Sequence, residues 1–200
     1  MKKKKSTHLY SILLLPLFLF PIESQFSDTK NFYKVENKIQ IVTTIEKLWP
    51  QVVEVEPISD AECDFGFYNY LGIPRPLKAE IVNTKNGPRR IGHFSDEFKL
   101  IEEIVSIDTF QQLVLKIYLA NSTIRNKPTD KHILQGGHFS FENISYTPEE
   151  VNPEMTELHL TCTYRINSKM NWYANFWAEK IIEDFETKLL KVIKYKVEKK

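Results

Sequence analysis

Residues 171–200 read NWYANFWAEKIIEDFETKLLKVIKYKVEKK. Tyr173, Trp177, Ile181, Phe185, Leu189 and Val192 recur every three or four positions, and Trp172, Phe176 and Ile182 broaden the stripe. This period predicts one long amphipathic α-helix. Glu179, Glu183, Asp184 and Glu186 come before a lysine-rich end, an order that suits the helix dipole. Such a helix must bury its apolar face against another layer, and the preceding sequence supplies one.

That sequence has the period of strands. In TELHLTCTYRI (156–166), Leu158, Leu160, Cys162, Tyr164 and Ile166 share one face. PEEVNPE (148–154) reads as a turn. HILQGGHFSFENISYT (132–147) is strand-like, with Gly136–Gly137 marking a bulge or a sharp bend. QQLVLKIYLA (111–120), FKLIEEIVSID (98–108), PRRIGHFSDE (88–97) and LKAEIVN (77–83) add four more runs, with a turn signal at Asn86–Gly87. NSTIRNKPTDK (121–131) has no apolar period and reads as a loop. A first strand begins at Asn37 with NKIQIVTT and leads into TTIEKLWPQV. There Thr43 and Glu46 form a capping-box signature, while Pro50 and Pro57 keep the helix short or bent. DAECDFGFYNYLG (60–72) fits a second short helix ending at Gly66, or a loop over the core. The order predicts an α+β fold with an antiparallel sheet of six to seven strands curved around the C-terminal helix. That arrangement often leaves a cavity between sheet and helix.

The first residues, MKKKKSTHLYSILLLPLFLFPIES, place four lysines before an apolar run from Leu9 to Ile22. The run is short for a spanning helix and holds Pro16 and Pro21. It fits a signal peptide over 1–24, with an uncleaved N-terminal membrane anchor as the alternative. Either reading exports the domain, to the periplasm or outside, or holds it outside on a membrane. Residues 25–36 then read as a linker and 37–197 as the domain. Of the 200 residues, 42% are hydrophobic and 12% aromatic, enough for a packed core. The formal net charge of +1 gives no electrostatic footprint for nucleic acid. Cys63 and Cys162 lie far apart, leaving a disulfide and two buried thiols both open, and no Cys/His spacing marks a metal site. No cofactor is expected.

IVTTIEKLWPQV after the first strand, GIPRPLKAEIV (72–82), NGPRRIGHF, LIEEIVSID and the closing YRINSKMNWYANFWAEKIIEDF occur in an order that resembles the START-like superfamily, also called SRPBCC. The resemblance covers about residues 37 to 196. It implies the helix-grip fold and a hydrophobic small molecule, such as a lipid, held under the long helix. Polyketide cyclases and dehydrases also belong to this superfamily, so the resemblance alone does not choose between carrier and enzyme.

Several residues are candidates for the site. In GIPRP, Pro74 and Pro76 stiffen the entry to a strand, and Arg75 is placed to face an anionic ligand. Arg90 would bind a carboxylate or enolate, and His93 has the pKa range of a general base. Glu102 and Glu103 interrupt an apolar strand. Only one can face solvent, and the other needs a buried partner, here expected as Glu103 with Arg90. His138, Tyr164, Trp172, Phe176 and Trp177 are candidates to line the pocket. No nucleophile motif, P-loop or dinucleotide fingerprint occurs. Three functions follow as expectations. The first is binding of a hydrophobic or amphipathic molecule. The second is a cyclase- or dehydratase-like enzyme using Arg90, His93 and Glu103. The third is a structural or interaction module with a filled core.

Overall fold

The computed structural model describes residues 29–85, 87–119, 122–127 and 130–199. The signal-peptide or anchor reading of residues 1–24 therefore lies outside the described residues. Seven strands form one antiparallel sheet: β1 (Thr29–Ile41), β2 (Pro76–Thr84), β3 (Gly87–Phe94), β4 (Lys99–Asp108), β5 (Gln112–Ile117), β6 (Phe139–Asn152) and β7 (Met155–Ser168). Their spatial order is β1-β7-β6-β5-β4-β3-β2, so β2 to β7 follow one another by hairpins and β1 closes against β7. Two helical segments, α1 (Ile45–Val53) and α2 (Phe67–Tyr70), join β1 to β2, and the long α3 (Asn171–Glu198) ends the fold. At 1.5 Å per residue α3 is about 42 Å long. Register shifts within β2, β4 and β6 mark bulges, which bend the sheet around α3.

The core lies between the concave face and the C-terminal half of α3. Leu113, Leu115, Leu158 and Leu160 from the sheet meet Leu189, Leu190, Val192 and Ile193 from α3, with Leu48 and Val52 of α1 closing one end. Each such buried side chain stabilises by roughly 1.5–3 kcal/mol. Lys196 fastens the end of α3: its Nζ donates to Pro57 O at 2.6 Å and to Glu62 Oε1 at 3.1 Å. No helix among the described residues is long and apolar enough to cross a membrane.

Several boundaries differ from the sequence reading. β1 starts at Thr29, so residues 29–36 are strand, not linker; they pair residue by residue with β7. The N-cap of α1 is Thr44, with no side-chain cap bond, so the Thr43–Glu46 capping box does not form. Gly66 precedes α2 as its N-cap and does not end a helix. Residues 131–135 form a π-helical turn, so the strand begins at Phe139. PEEVN is strand, and the turn is confined to Pro153–Glu154. β5 and β6 pair only from Leu113 to Leu115, so Pro148 lies where β6 is an edge and its missing N–H breaks no bond towards β5.

Candidate functional site

The β3–β4 hairpin sets the polar interior. Asp96 and Glu97 both have φ of 59°, as a two-residue turn requires, and this places Arg90 opposite Glu102 and Arg89 opposite Glu103. Strand alternation points Arg90 and Glu102 into the core. Arg90 Nη1 donates to Glu102 Oε2 at 2.5 Å, and Arg90 Nε donates to Val53 O at 2.9 Å, at the C-terminal end of α1. Its guanidinium also lies 5.6 Å from the Tyr146 ring. Arg90 and Glu102 are 3% and 7% exposed. Burial works against the arginine's charge most strongly of any one cause, but Glu102 and Tyr146 together outweigh it and hold the pKa above the ordinary value. Burial pushes the Tyr146 hydroxyl up to about 12. A Cβ on Gly92 would stand 3.2 Å from the Phe94 ring, tighter than ordinary packing, and in ordinary contact with Glu102 Oε1 at 3.4 Å.

The expected Arg90–Glu103 pair is therefore corrected to Arg90–Glu102. Glu103 faces outward and pairs with Arg89 at 3.0 Å, its side chain 43% exposed. A pair this wet contributes at most about 1 kcal/mol. Glu103→Ala is expected to shift the urea midpoint only slightly, and a large loss of stability would contradict this placement. His93 also points outward, its Nε2 lying 2.8 Å from Glu80 Oε1. Arg90, His93 and Glu103 thus do not converge, because residues of odd and even number lie on opposite faces of β3.

A second buried carboxyl, which the sequence reading assigned to the helix dipole, lies under α3. Glu186 is 3% exposed; Asn37 Nδ2 on β1 donates to its Oε2 at 2.7 Å, and among the described residues its Oε1 has no hydrogen-bond partner. Burial pushes its pKa up to about 8, against the opposing Asn37 bond, with Glu36 and Glu183 adding repulsion. The signal was present in the spacing. Ile182, Glu186, Leu189 and Ile193 fall on one buried stripe.

The other pocket candidates are distributed along one end of the molecule. Tyr164 is buried on the concave face; its hydroxyl donates to Asn175 Oδ1 at 2.9 Å and its ring stacks between Tyr33 and Phe139. Trp177 stacks on Phe67. Trp172 and Phe176 are 65% and 52% exposed, so they do not wall an interior cavity. His138 is exposed at the start of β6, near Asn167 O. Cys63 and Cys162 are both free and buried.

The GIPRP segment forms one wall of an open cavity of about 630 Å³ between the α1–α2 connection and the β3–β4 turn. Cys63, Phe65, Ile73 and Pro74 give it apolar surface, Arg75, Arg125 and Lys127 give it cations, and Asp60, Asp64 and Asp96 give it an equal number of carboxylates. Arg75 Nη2 lies 2.5 Å from Asp60 Oδ1, a carboxylate that is almost wholly exposed. Arg75 N–H donates to Ser95 Oγ and its carbonyl accepts from Ser95 N, which ties the proline corner to the β3–β4 turn. Arg125 is spent on scaffold: it donates twice to Asp130, once to Asp96 and once to Gly72 O. A smaller cavity of about 320 Å³ opens where β5 and β6 part, near Lys116, Phe141 and Arg165. Neither cavity is lined by Arg90, Glu102 or Glu186. No group of three His, Cys, Asp or Glu among the described residues could hold a metal ion.

By sequence, no family model and no curated protein matches the chain. By structure it is similar to the Zhui aromatase/cyclase from Streptomyces sp. R1128, with TM-score 0.53 and 13% identity over 84% of this chain and 95% of that one. It is also similar to a START superfamily protein from Mycobacterium smegmatis, with TM-score 0.52 and 13% identity over 83% of this chain and 97% of that one. The chain has the START-like, helix-grip fold.

Proposed function

We propose that this protein binds a hydrophobic or amphipathic small molecule, lipid-like or polyketide-like, at the mouth walled by Ile73, Pro74 and Arg75. The observation that carries this reading is the cavity of about 630 Å³, with apolar surface from Phe65, Ile73 and Pro74 and charges of both signs at its rim. Its size is that of a small-molecule site, and its lining suits an apolar body with a polar or charged end. Arg75 is the cation for that end, because its partner Asp60 is exposed and readily exchanged for a ligand carboxylate. Structural neighbours that include an aromatase/cyclase and a START superfamily protein support a ligand-binding use of the fold. The four lysines and the apolar run before residue 24 support export or retention on a membrane, with the domain outside.

Geometry ranks the alternatives lower. The acid–base reading needs Arg90, His93 and Glu103 on one cavity, and two of the three face outward. The structural-module reading needs a filled mouth.

A fluorescent fatty acid is expected to bind saturably to the full chain. Arg75→Ala is expected to weaken that binding about tenfold, the value of one charge-assisted hydrogen bond. Absence of saturable binding, or binding that Arg75→Ala leaves unchanged, would remove the mouth from the account.

A further inference from the structure

The two halves of α3 are covered differently. The C-terminal half is packed, whereas Trp172 and Phe176 at the N-terminal end are 65% and 52% exposed. Beside them Phe65, Phe67 and Tyr70 are 65%, 39% and 79% exposed. The rings touch one another: Phe176 to Trp177 at 5.4 Å, Trp177 to Phe67 at 6.3 Å, and Phe65 to Tyr70 at 5.1 Å. Trp177 therefore joins Phe176 to Phe67 of α2, and Phe65 and Tyr70 form a second ring pair flanking that short helix. Isolated exposed apolar side chains are ordinary, but a contiguous group of large rings marks a contact surface.

The point at which the chain enters the fold indicates what covers it. β1 begins at Thr29, which pairs with Ser168, and α3 begins at Asn171. The lysines and the apolar run Leu9–Ile22 therefore join the domain at the end that carries the rings. Seven residues of chain lead from Ile22 to Thr29, so the near end of the apolar run lies within about 25 Å of Thr29. Tryptophan and tyrosine, with a polar atom on an apolar ring, favour the water–lipid boundary. The charges around the surface have both signs, Lys30 and Lys169 against Asp64 and Asp184. A polyanionic partner and a polycationic one are both poorly matched.

We propose that Trp172 and Phe176 of α3, with Phe65, Phe67 and Tyr70, form a membrane-contact face that lies in the headgroup layer of a lipid bilayer. The contact is made by ring insertion, so zwitterionic vesicles suffice and added salt has little effect. This proposal does not depend on the ligand reading.

The test uses the full chain with phosphatidylcholine vesicles, with and without brominated acyl chains. Trp172→Phe keeps an aromatic ring at an exposed position and removes one fluorophore, so the difference between wild type and this variant is the Trp172 signal. That signal is expected to fall about twofold or more with brominated lipid, and to lose its access to acrylamide when vesicles are added. Phe176→Asp with Tyr70→Asp, both at exposed positions, is expected to reverse the quenching even where residues 9–22 still hold the chain on the vesicle. Two outcomes would overturn the proposal. In one, Trp172 is unquenched by brominated lipid and open to acrylamide on vesicle-bound protein, so the face looks into water. In the other, Trp172 is already shielded from acrylamide without lipid, so a second copy or residues 9–22 occupy the face.

Discussion

Glu186→Gln is expected to flatten the dependence of stability on pH between about 5 and 8. In the fold the Glu186 carboxyl keeps its proton to about 8, whereas its ordinary value is 4.5. Between these values unfolding releases a proton, so the unfolded state binds fewer protons and stability falls as pH rises. The loss is at most about 1.4 kcal/mol per pH unit, and its total is a few kcal/mol. Below pH 4.5 both states hold the proton and the stabilisation is fully present; above 8 both have lost it and the curve is level again. Glutamine stays neutral and retains an acceptor for Asn37. Urea unfolding at pH 5 and pH 9 should therefore show near-equal stabilities at the lower pH. At the higher pH the variant should be more stable by about 2–4 kcal/mol. Parallel profiles for the two proteins would show that the carboxyl is not buried under α3.

The second large effect belongs to the Arg90–Glu102 pair. Removing either partner leaves an uncompensated charge in the core, and each of Arg90→Ala and Glu102→Ala is expected to cost about 3–5 kcal/mol. Arg90→Ala also uncovers Val53 O at the end of α1. The double replacement Arg90→Met with Glu102→Leu should recover most of the loss, because both desolvation penalties disappear together. Denaturant unfolding of the wild type, Arg90→Met, Glu102→Leu and the double variant measures this coupling. Additive losses in the double variant would show that the two side chains do not meet.

The C-terminal helix and the alternating strands were legible because their periods differ and run for ten or more residues. The polar interior was legible only to within one position. Alternation showed that one of Glu102 and Glu103 must point inward, but the choice depends on the register across the β3–β4 turn. Ser95-Asp96-Glu97-Phe98 lacks the Asn-Gly signature, so no residue pattern marks Asp96 and Glu97 as the turn. β1 hid its first half because Phe32 is an exposed ring on the outward face, which breaks the polar–apolar alternation around Tyr33 and Val35. Glu186 was misread because an acidic residue in a helix rich in acids is ordinarily solvated, and burial beside Cys162 and Asn37 is a tertiary fact. Trp172 and Phe176 follow the apolar stripe in spacing, but the sheet stops short of them. Periodicity shows which face is apolar and does not show how far a neighbouring layer extends along it.

We propose that the mouth beside GIPRP holds an amphipathic small molecule. Native mass spectrometry of the chain purified gently from its own kind of cell, followed by denaturing extraction, tests it most directly. The account predicts one co-purified hydrophobic molecule per chain, lost or reduced in Arg75→Ala. A clean unliganded mass, unchanged by a panel of fatty acids and lipids and identical in the variant, would contradict it.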